Sequence, residues 1–169
     1  MQSTLHNYFS TARHERFSRF DEIEKKFAVR ELPAGIEQYP SYEIEQGYLA
    51  VDPNGTHIRL RRSDEELCLT VKKGKGASRK EFNIPVDSDV FEELWQLTAG
   101  KRLRKTRYDV PYGALTIEID IYHGRNEGIT VAEVEFPDAQ TCDQFIPPAW
   151  LGPEISDFGG FGNVSLARE

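Results

Sequence analysis

From Asp21 onward the chain alternates polar and apolar residues with a period of two. In "DEIEKKF" the charged Glu22, Glu24 and Lys26 share one side, while Ile23 and Phe27 take the other. That is the pattern of an extended strand with two unlike faces. Similar runs follow in "YEIEQGYLAV", "THIRLRRS", "ELCLTVKKG", "RKEFNIPV", "RLRKTRYDV", "ALTIEIDIY" and "GITVAEVEF". Turn-forming stretches separate them: "DPNG", the loop "KGKGAS", "PYG" and "HGRNEG". The period changes in "DSDVFEELWQLTAGK", which places Val90, Phe91, Leu94, Trp95 and Leu97 on one helical face. Asp87 or Ser88 stands at its capping position and Gly100 at its end. "PDAQTCDQFI" predicts a short helix, "PPAWLGPEIS" an irregular segment, and "FGGFGNVSLARE" a short closing helix. About eight strands, consecutive hairpins and few helices predict a mainly β (α+β) fold, an eight-stranded antiparallel closed β-barrel with a few flanking helices. A meander closes such a barrel without long crossovers. Residues 1–20 form a polar arm or helix outside the pattern, and residues 21–169 form one domain.

Sorting the strands by face separates their charges. Arg59 and Arg61 share a face against Ile58 and Leu60, and Lys72 lies with Thr70 against Leu69 and Val71. Arg79 and Glu81 share one, as do Lys105 and Arg107. Glu118 and Asp120 lie opposite Ile117, Ile119 and Ile121; Glu133 and Glu135 lie opposite Ala132, Val134 and Phe136. One such strand is explained by solvent. The whole set is not, because like charges two apart on a strand repel unless an opposite charge lies between them. A polyanion among the basic strands and a divalent cation among the acidic ones meet that need. Closing the sheet with these faces inward makes a polar tunnel, and the apolar faces then pack outward.

The residue types suit that chemistry. Glu22, Glu24, Glu133 and Glu135 are hard oxygen ligands for Mg²⁺ or Mn²⁺. Arginine and lysine hold phosphate oxygens by charge-assisted hydrogen bonds. No P-loop, dinucleotide fingerprint or nucleophile elbow is present. His6, His14, His57 and His123 have no ligand spacing.

Bulk composition narrows the field further. At 169 residues, 38% hydrophobic and 29% charged, the chain suits one globular domain with a real core. A net charge of -7 does not steer it toward nucleic acid. No apolar stretch predicts a signal peptide or a membrane span. Two distant cysteines, Cys68 and Cys142, favour a reduced, cytoplasmic protein, with a single disulfide as the alternative.

Taken in order, "EIEKKF", "QGYL", "IRLRR", "LTVK", "SRKEFNI", "KTRY", "TIEIDIY", "VAEVEF", "PPAWLG" and a final "N..LA" resemble the CYTH domain of the triphosphate tunnel metalloenzymes, in its small bacterial single-domain form. The likeness runs over residues 21–167. It implies an eight-stranded tunnel and a Mg²⁺- or Mn²⁺-dependent hydrolase, with inorganic triphosphate split to pyrophosphate and phosphate as the leading activity. Relatives also cleave thiamine or nucleoside triphosphates. An adenylate cyclase of the same fold, or a non-catalytic binder of polyphosphate or a phosphorylated metabolite, are the alternatives. By position, Glu22, Glu24, Glu133 and Glu135 would serve the metal, with Glu24 required for turnover. Glu81, Glu118 and Asp120 would be further acidic members. Lys26, Arg59, Arg61, Lys72, Arg79, Lys105 and Arg107 would hold phosphates, and Lys105 would also position the water or leaving phosphate. The family admits a homodimer. The tail departs from the family run: Phe158 replaces an acid, Gly160 an arginine and Phe161 a tyrosine, whereas Asn163, Leu166 and Ala167 fit.

Overall fold

The computed structural model describes residues 18–64, 66–74 and 78–168. The predicted arm at 1–17 and the loop at 75–77 lie outside the described residues. The first strand, β1, runs Ser18–Val29, so the regular structure begins three residues inside the segment read as an arm.

The strands that follow sit where the alternation places them: β2 Ser41–Val51, β3 His57–Ser63, β4 Glu66–Lys73, β5 Ser78–Pro85, β6 Arg102–Tyr112, β7 Leu115–Tyr122 and β8 Thr130–Phe136. These eight close into an antiparallel barrel, because β1 pairs with both β5 and β8. The barrel is not one continuous meander. β2–β5 form one meander and β6–β8 another; β2 joins β6, and β1 joins the far edges. The β1–β2 and β5–β6 connections therefore span the barrel, the second carrying helix α1, Ser88–Gln96.

A ninth strand corrects the reading of the Pro-rich segment as irregular. β9, Leu151–Glu154, pairs with Phe27 and Val29 of β1. β8 covers one edge of β1 over Ile23–Ala28, and β5 stops at Ile23 on the other. The backbone of β1 beyond β5 is left with unmet hydrogen bonds, and β9 supplies them.

The apolar faces pack outside the barrel, as the alternation requires. Phe27, Ile117, Ile119, Ala132, Val134 and Phe136 form the main core. Helix α2, Ala139–Gln144, and the segment to Trp150 cover it, with Phe145 tilted against Phe27 and edge-on to Phe136. Each large side chain so buried contributes about 1.5–3 kcal/mol.

α1 is capped at Asp87 by conformation alone, with no side-chain cap bond, and it ends before Gly100. A turn follows it, in which Gly100 takes φ +75°. Its predicted apolar face is only partly used: Phe91 is buried, but Val90 and Leu97 remain exposed. Arg62 and Arg102 lie over the Trp95 ring and take up part of that surface. The turn after α1 presses on β2 so closely that a Cβ at Gly47 would meet Thr98 Oγ1 at 2.5 Å. Cys68 and Cys142 are both free and buried. No helix among the described residues is long and apolar enough to cross a membrane.

Candidate active site

The inward faces enclose a cavity of about 160 Å³. β1 lines it with Glu22, Glu24 and Lys26, β3 with Arg59 and Arg61, β4 with Lys72, and β5 with Arg79 and Glu81. β6 adds Lys105 and Arg107, β7 Glu118, and β8 Glu133 and Glu135. Thus thirteen of the fourteen residues singled out in the sequence reach one space. Asp120, the remaining one, is fully buried behind the lining, where it pairs with Lys105 and Arg107.

One end of the barrel is filled. Two residues beyond the polar set on each strand, Leu103, Tyr122 and Val131 turn inward and pack with Tyr48, Ile155, Leu166 and Ala167. The tail helix α3, Asn163–Leu166, seals this end. The Tyr122 hydroxyl donates to Asn163 Oδ1, and Asn126 Nδ2 donates to the Leu166 carbonyl at 2.9 Å. Gly162, Asn163 and Val164 line the cavity, whereas Phe158 and Phe161 stay exposed.

The β6–β7–β8 wall is neutralised internally. Arg107 reaches Asp120 with Nε at 2.7 Å and Nη2 at 2.7 Å, reaches Glu133 at 2.9 Å, and pairs with Glu118. Lys26 meets Glu133 at 2.6 Å. Burial pushes the Lys105 amine down to about 8, although Asp120 pulls it back up. Burial raises the Glu118 carboxyl to about 7 against the pull of Arg107. Burial would also raise Glu133, but Lys26, Lys105 and Arg107 together hold it well below the usual carboxylate range.

On the other side, Lys72 meets Glu22 at 2.7 Å and Glu81 at 2.7 Å. Arg79 pairs with Glu24. Burial opposes ionisation of Glu81, yet Lys72 and Arg59 bring it down to about 2. Arg59 and Arg61 differ from the rest. Among the described residues neither has a carboxylate within ion-pairing distance, and the Nε of each is buried without a hydrogen-bond partner.

The carboxylates suit a divalent ion by type and by register. Glu24 lies directly across from Glu135, and Glu118 across from Glu133. Like charges directly opposite on a sheet destabilise it, and a cation between them relieves the strain. Burial and the nearby Glu22 raise the Glu135 carboxyl. Glu22, Glu81 and Glu135 also line a second hollow of about 200 Å³ with Arg61 and Asn83. Among the described residues no three acidic or histidine side chains stand at ligand distance from a common point. The present carboxylate–cation pairs hold them apart.

The sequence reading missed Gln46, Tyr48, His57 and Asn163, all of which line the cavity. The signal was available for three of them. Gln46 and Tyr48 continue the inward alternation of β2, and His57 precedes Arg59 by two on β3. The absence of histidine ligand spacing hid the last of these. Asn163 comes from the tail, whose docking onto the barrel no local pattern encodes.

No family model matches the chain. Among curated proteins it is 37% identical over 148 residues to an inorganic triphosphatase of Nitrosomonas europaea, spanning 86% of this chain and 96% of that one. An inorganic triphosphatase of Acetivibrio thermocellus is 30% identical over 154 residues, 87% and 93% of the two chains. A solved crystal structure of an inorganic triphosphatase aligns with TM-score 0.66 at 32% identity, over 89% of this chain and 96% of that one. A Bacillus halodurans chain classed provisionally as an adenylate cyclase aligns with TM-score 0.55 at 13% identity, over 83% and 98%, a likeness of fold alone.

Proposed function

The chain belongs to the family of the inorganic triphosphatases, and from that premise we propose that it hydrolyses inorganic triphosphate to pyrophosphate and orthophosphate inside the barrel cavity. The observation that carries this reading is the pair Arg59 and Arg61. Both guanidinium groups face the cavity with Nε buried and unpartnered. Among the described residues neither has a carboxylate at ion-pairing distance, and Arg59 is met only by the Tyr48 hydroxyl. A buried donor left unpaired is costly, and an anion with many oxygens supplies both the acceptors and the counter-charge. The CYTH signature read in the sequence accords with the same assignment.

Arg59, Arg61 and Lys72 would hold phosphate oxygens on one side, with Lys26, Arg79 and Arg107 completing the cradle. Lys105, fixed by Asp120 beneath it, would hold its ammonium toward the phosphate that departs. Glu24 and Glu135, with Glu22 and Glu133 beside them, are the groups that would hold a Mg²⁺ or Mn²⁺ ion. Such an ion neutralises charge on a transferring phosphoryl group and acidifies bound water. Binding the anion frees carboxylates from their present lysine and arginine partners, because phosphate oxygens take over those cations. The apolar plug excludes bulk water from the far end, which strengthens each charge interaction within.

Phosphate release from triphosphate in the presence of Mg²⁺ or Mn²⁺ is the direct test, with products identified by chromatography. Pyrophosphate and orthophosphate are expected. Cyclic AMP from ATP, with triphosphate left intact, would identify a cyclase instead. Binding without turnover under any divalent ion would leave only an anion-binding protein. Glu24→Gln is expected to lower kcat by about two orders of magnitude or more without changing the far-UV spectrum. Turnover close to wild type would remove the role given to Glu24. Chelation of divalent ions should stop turnover while triphosphate binding to the β3 arginines persists.

A further inference from the structure

His57 is a cavity residue to which the triphosphatase reading gives no task. It stands two residues before Arg59 on the same face of β3 and directly across from Lys72 of β4. It is 7% exposed, and its Nε2 is buried with no hydrogen-bond partner. Tyr48 meets the ring edge-on, with centroids 5.4 Å apart and planes at 66°.

The protonation state of the ring follows from its surroundings. Burial first, then the charges of Arg59 and Lys72, push its pKa down to about 4. The Gly55 backbone and the Glu81 carboxylate act the other way and are outweighed. The imidazole is therefore neutral at pH 7. A backbone bond that favours protonation is one in which a ring N–H donates to a carbonyl. Because Nε2 has no partner, that hydrogen belongs to Nδ1, which leaves the lone pair on Nε2.

This places an orphaned acceptor and an orphaned donor two residues apart on one face of β3, both lining the cavity. Arg59 Nε has a hydrogen and no acceptor; His57 Nε2 has a lone pair and no donor. Buried polar atoms are rarely left unpaired, so each such atom marks a contact still to be made. A fully ionised phosphate oxygen satisfies Arg59 but offers His57 nothing. An O–H group satisfies both, since its oxygen accepts from Arg59 and its hydrogen goes to His57.

We propose that His57 Nε2 accepts the hydrogen of a protonated terminal phosphate, P–OH, whose oxygen is held by Arg59. His57 thereby acts as a binding residue that recognises a free phosphate end, which carries a titratable hydroxyl, over a phosphate esterified on both sides. This rests on the reading that the cavity binds triphosphate. A water molecule offers the same O–H, and the test separates the two sources.

Calorimetric titration of the metal-free protein with triphosphate measures binding without turnover, and steady-state kinetics with metal measure kcat. His57→Phe keeps the ring against Tyr48 but removes Nε2, and is expected to weaken triphosphate binding about tenfold, the equivalent of one lost hydrogen bond. His57→Gln places an amide near the Nε2 position and should bind within about threefold of wild type. An unchanged Kd for His57→Phe overturns the proposal. So does a fall in kcat with Kd unchanged, which would assign the ring to an attacking water. Should the Phe variant not fold, the ¹⁵N shifts of the wild-type imidazole decide. A free protein with hydrogen on Nδ1, whose Nε2 resonance moves when triphosphate is added, supports the proposal; hydrogen on Nε2 overturns it. If the wild-type protein fails to bind triphosphate at all, the proposed function itself falls.

Discussion

The cations of β3 and β6 face the same cavity from either side of β2, yet their electrostatic surroundings are opposite. On β6, Arg107 lies across from Asp120 of β7, and Lys105 reaches the same carboxylate. On β3, Arg59 lies across from Tyr48 and Thr70, and Arg61 from Gln46 and Cys68. Among the described residues no acid lies opposite either in register or within ion-pairing distance, although Glu81 acts on Arg59 from further off. The β6 charges are paired within the fold, whereas Arg59 has only the Tyr48 hydroxyl and more distant carboxylates, and a direct counter-charge comes only when something enters. One wall is an internal framework and the other is an anion receptor.

Removing a partner should therefore act in opposite senses on the two walls. Asp120→Ala leaves Lys105 and Arg107 buried without their shared carboxylate. Breaking a buried pair from one side costs about 3–5 kcal/mol, so urea unfolding should show a loss of that order or no folded protein. A loss below about 1 kcal/mol would mean that Asp120 does not anchor the wall. Arg59→Met, by contrast, removes a cation that lacks a carboxylate partner. Its melting temperature without anion should equal or exceed that of the wild type, while triphosphate binding weakens about tenfold or more. If the variant melts well below wild type with no ligand present, Arg59 belongs to the framework and the comparison fails.

Titration offers a gentler way to separate the walls. Arginines stay charged throughout the accessible range, but Lys105 loses its proton near pH 8. Triphosphate binding by β3 should thus show no break set by Lys105 as pH rises through 8, only the decline set by ionisation of the terminal phosphate hydroxyl, while kcat falls with an apparent pKa near 8 that Lys105→Arg moves. Lys105→Arg should remove the alkaline limb if the charge alone matters. For stability, the unfolded chain binds more protons than the folded one between about 8 and 10.5, so Lys105 makes the fold more stable as pH rises through that window. Glu118 acts oppositely below it: its folded value of about 7 exceeds the unfolded 4.5, and its contribution is lost as pH rises through 7. A kcat profile flat to pH 10 would take Lys105 out of the reaction.

Period-two alternation carried most of this to the page from the sequence. It identified eight strands, and it named which charges share a face, because a strand permits only two directions. Alternation cannot say which strands become neighbours. Asp120 read as one more site acid because its pairing with β6, set by the β6–β7 hairpin register, decides that it serves as a buried counter-ion. β9 escaped because four residues containing Pro153 carry no alternation, and only the bare edge of β1 beyond β5 gives them a partner. The exposed Val90 and Leu97 have the same origin. A helical face can be read locally, but how much of it is covered depends on the surface it meets.

The tail divides by partners as the two walls do, and here the smallest effect is expected. Its departures from the family run, Phe158, Gly160 and Phe161, lie in the exposed part of the segment. The residues that fit the run, Leu166 and Ala167, are buried in the plug, and Asn163 receives the Tyr122 hydroxyl. A Cβ at Gly160 would meet nothing within 4 Å, and its φ does not lie in the left-handed region. Gly160→Arg, which restores the charge usual in the family, should shift stability by less than about 0.5 kcal/mol. It should leave kcat/KM for triphosphate within about twofold, because surface charge away from the binding groups is screened by salt. A larger gain would mean that the exposed half of the tail folds over the cavity during turnover. An unchanged value fixes the loss of charge in "FGGFG" as a change outside the site, with residues 158–161 adding nothing to the blind end that Leu166 and Ala167 close with the barrel side chains.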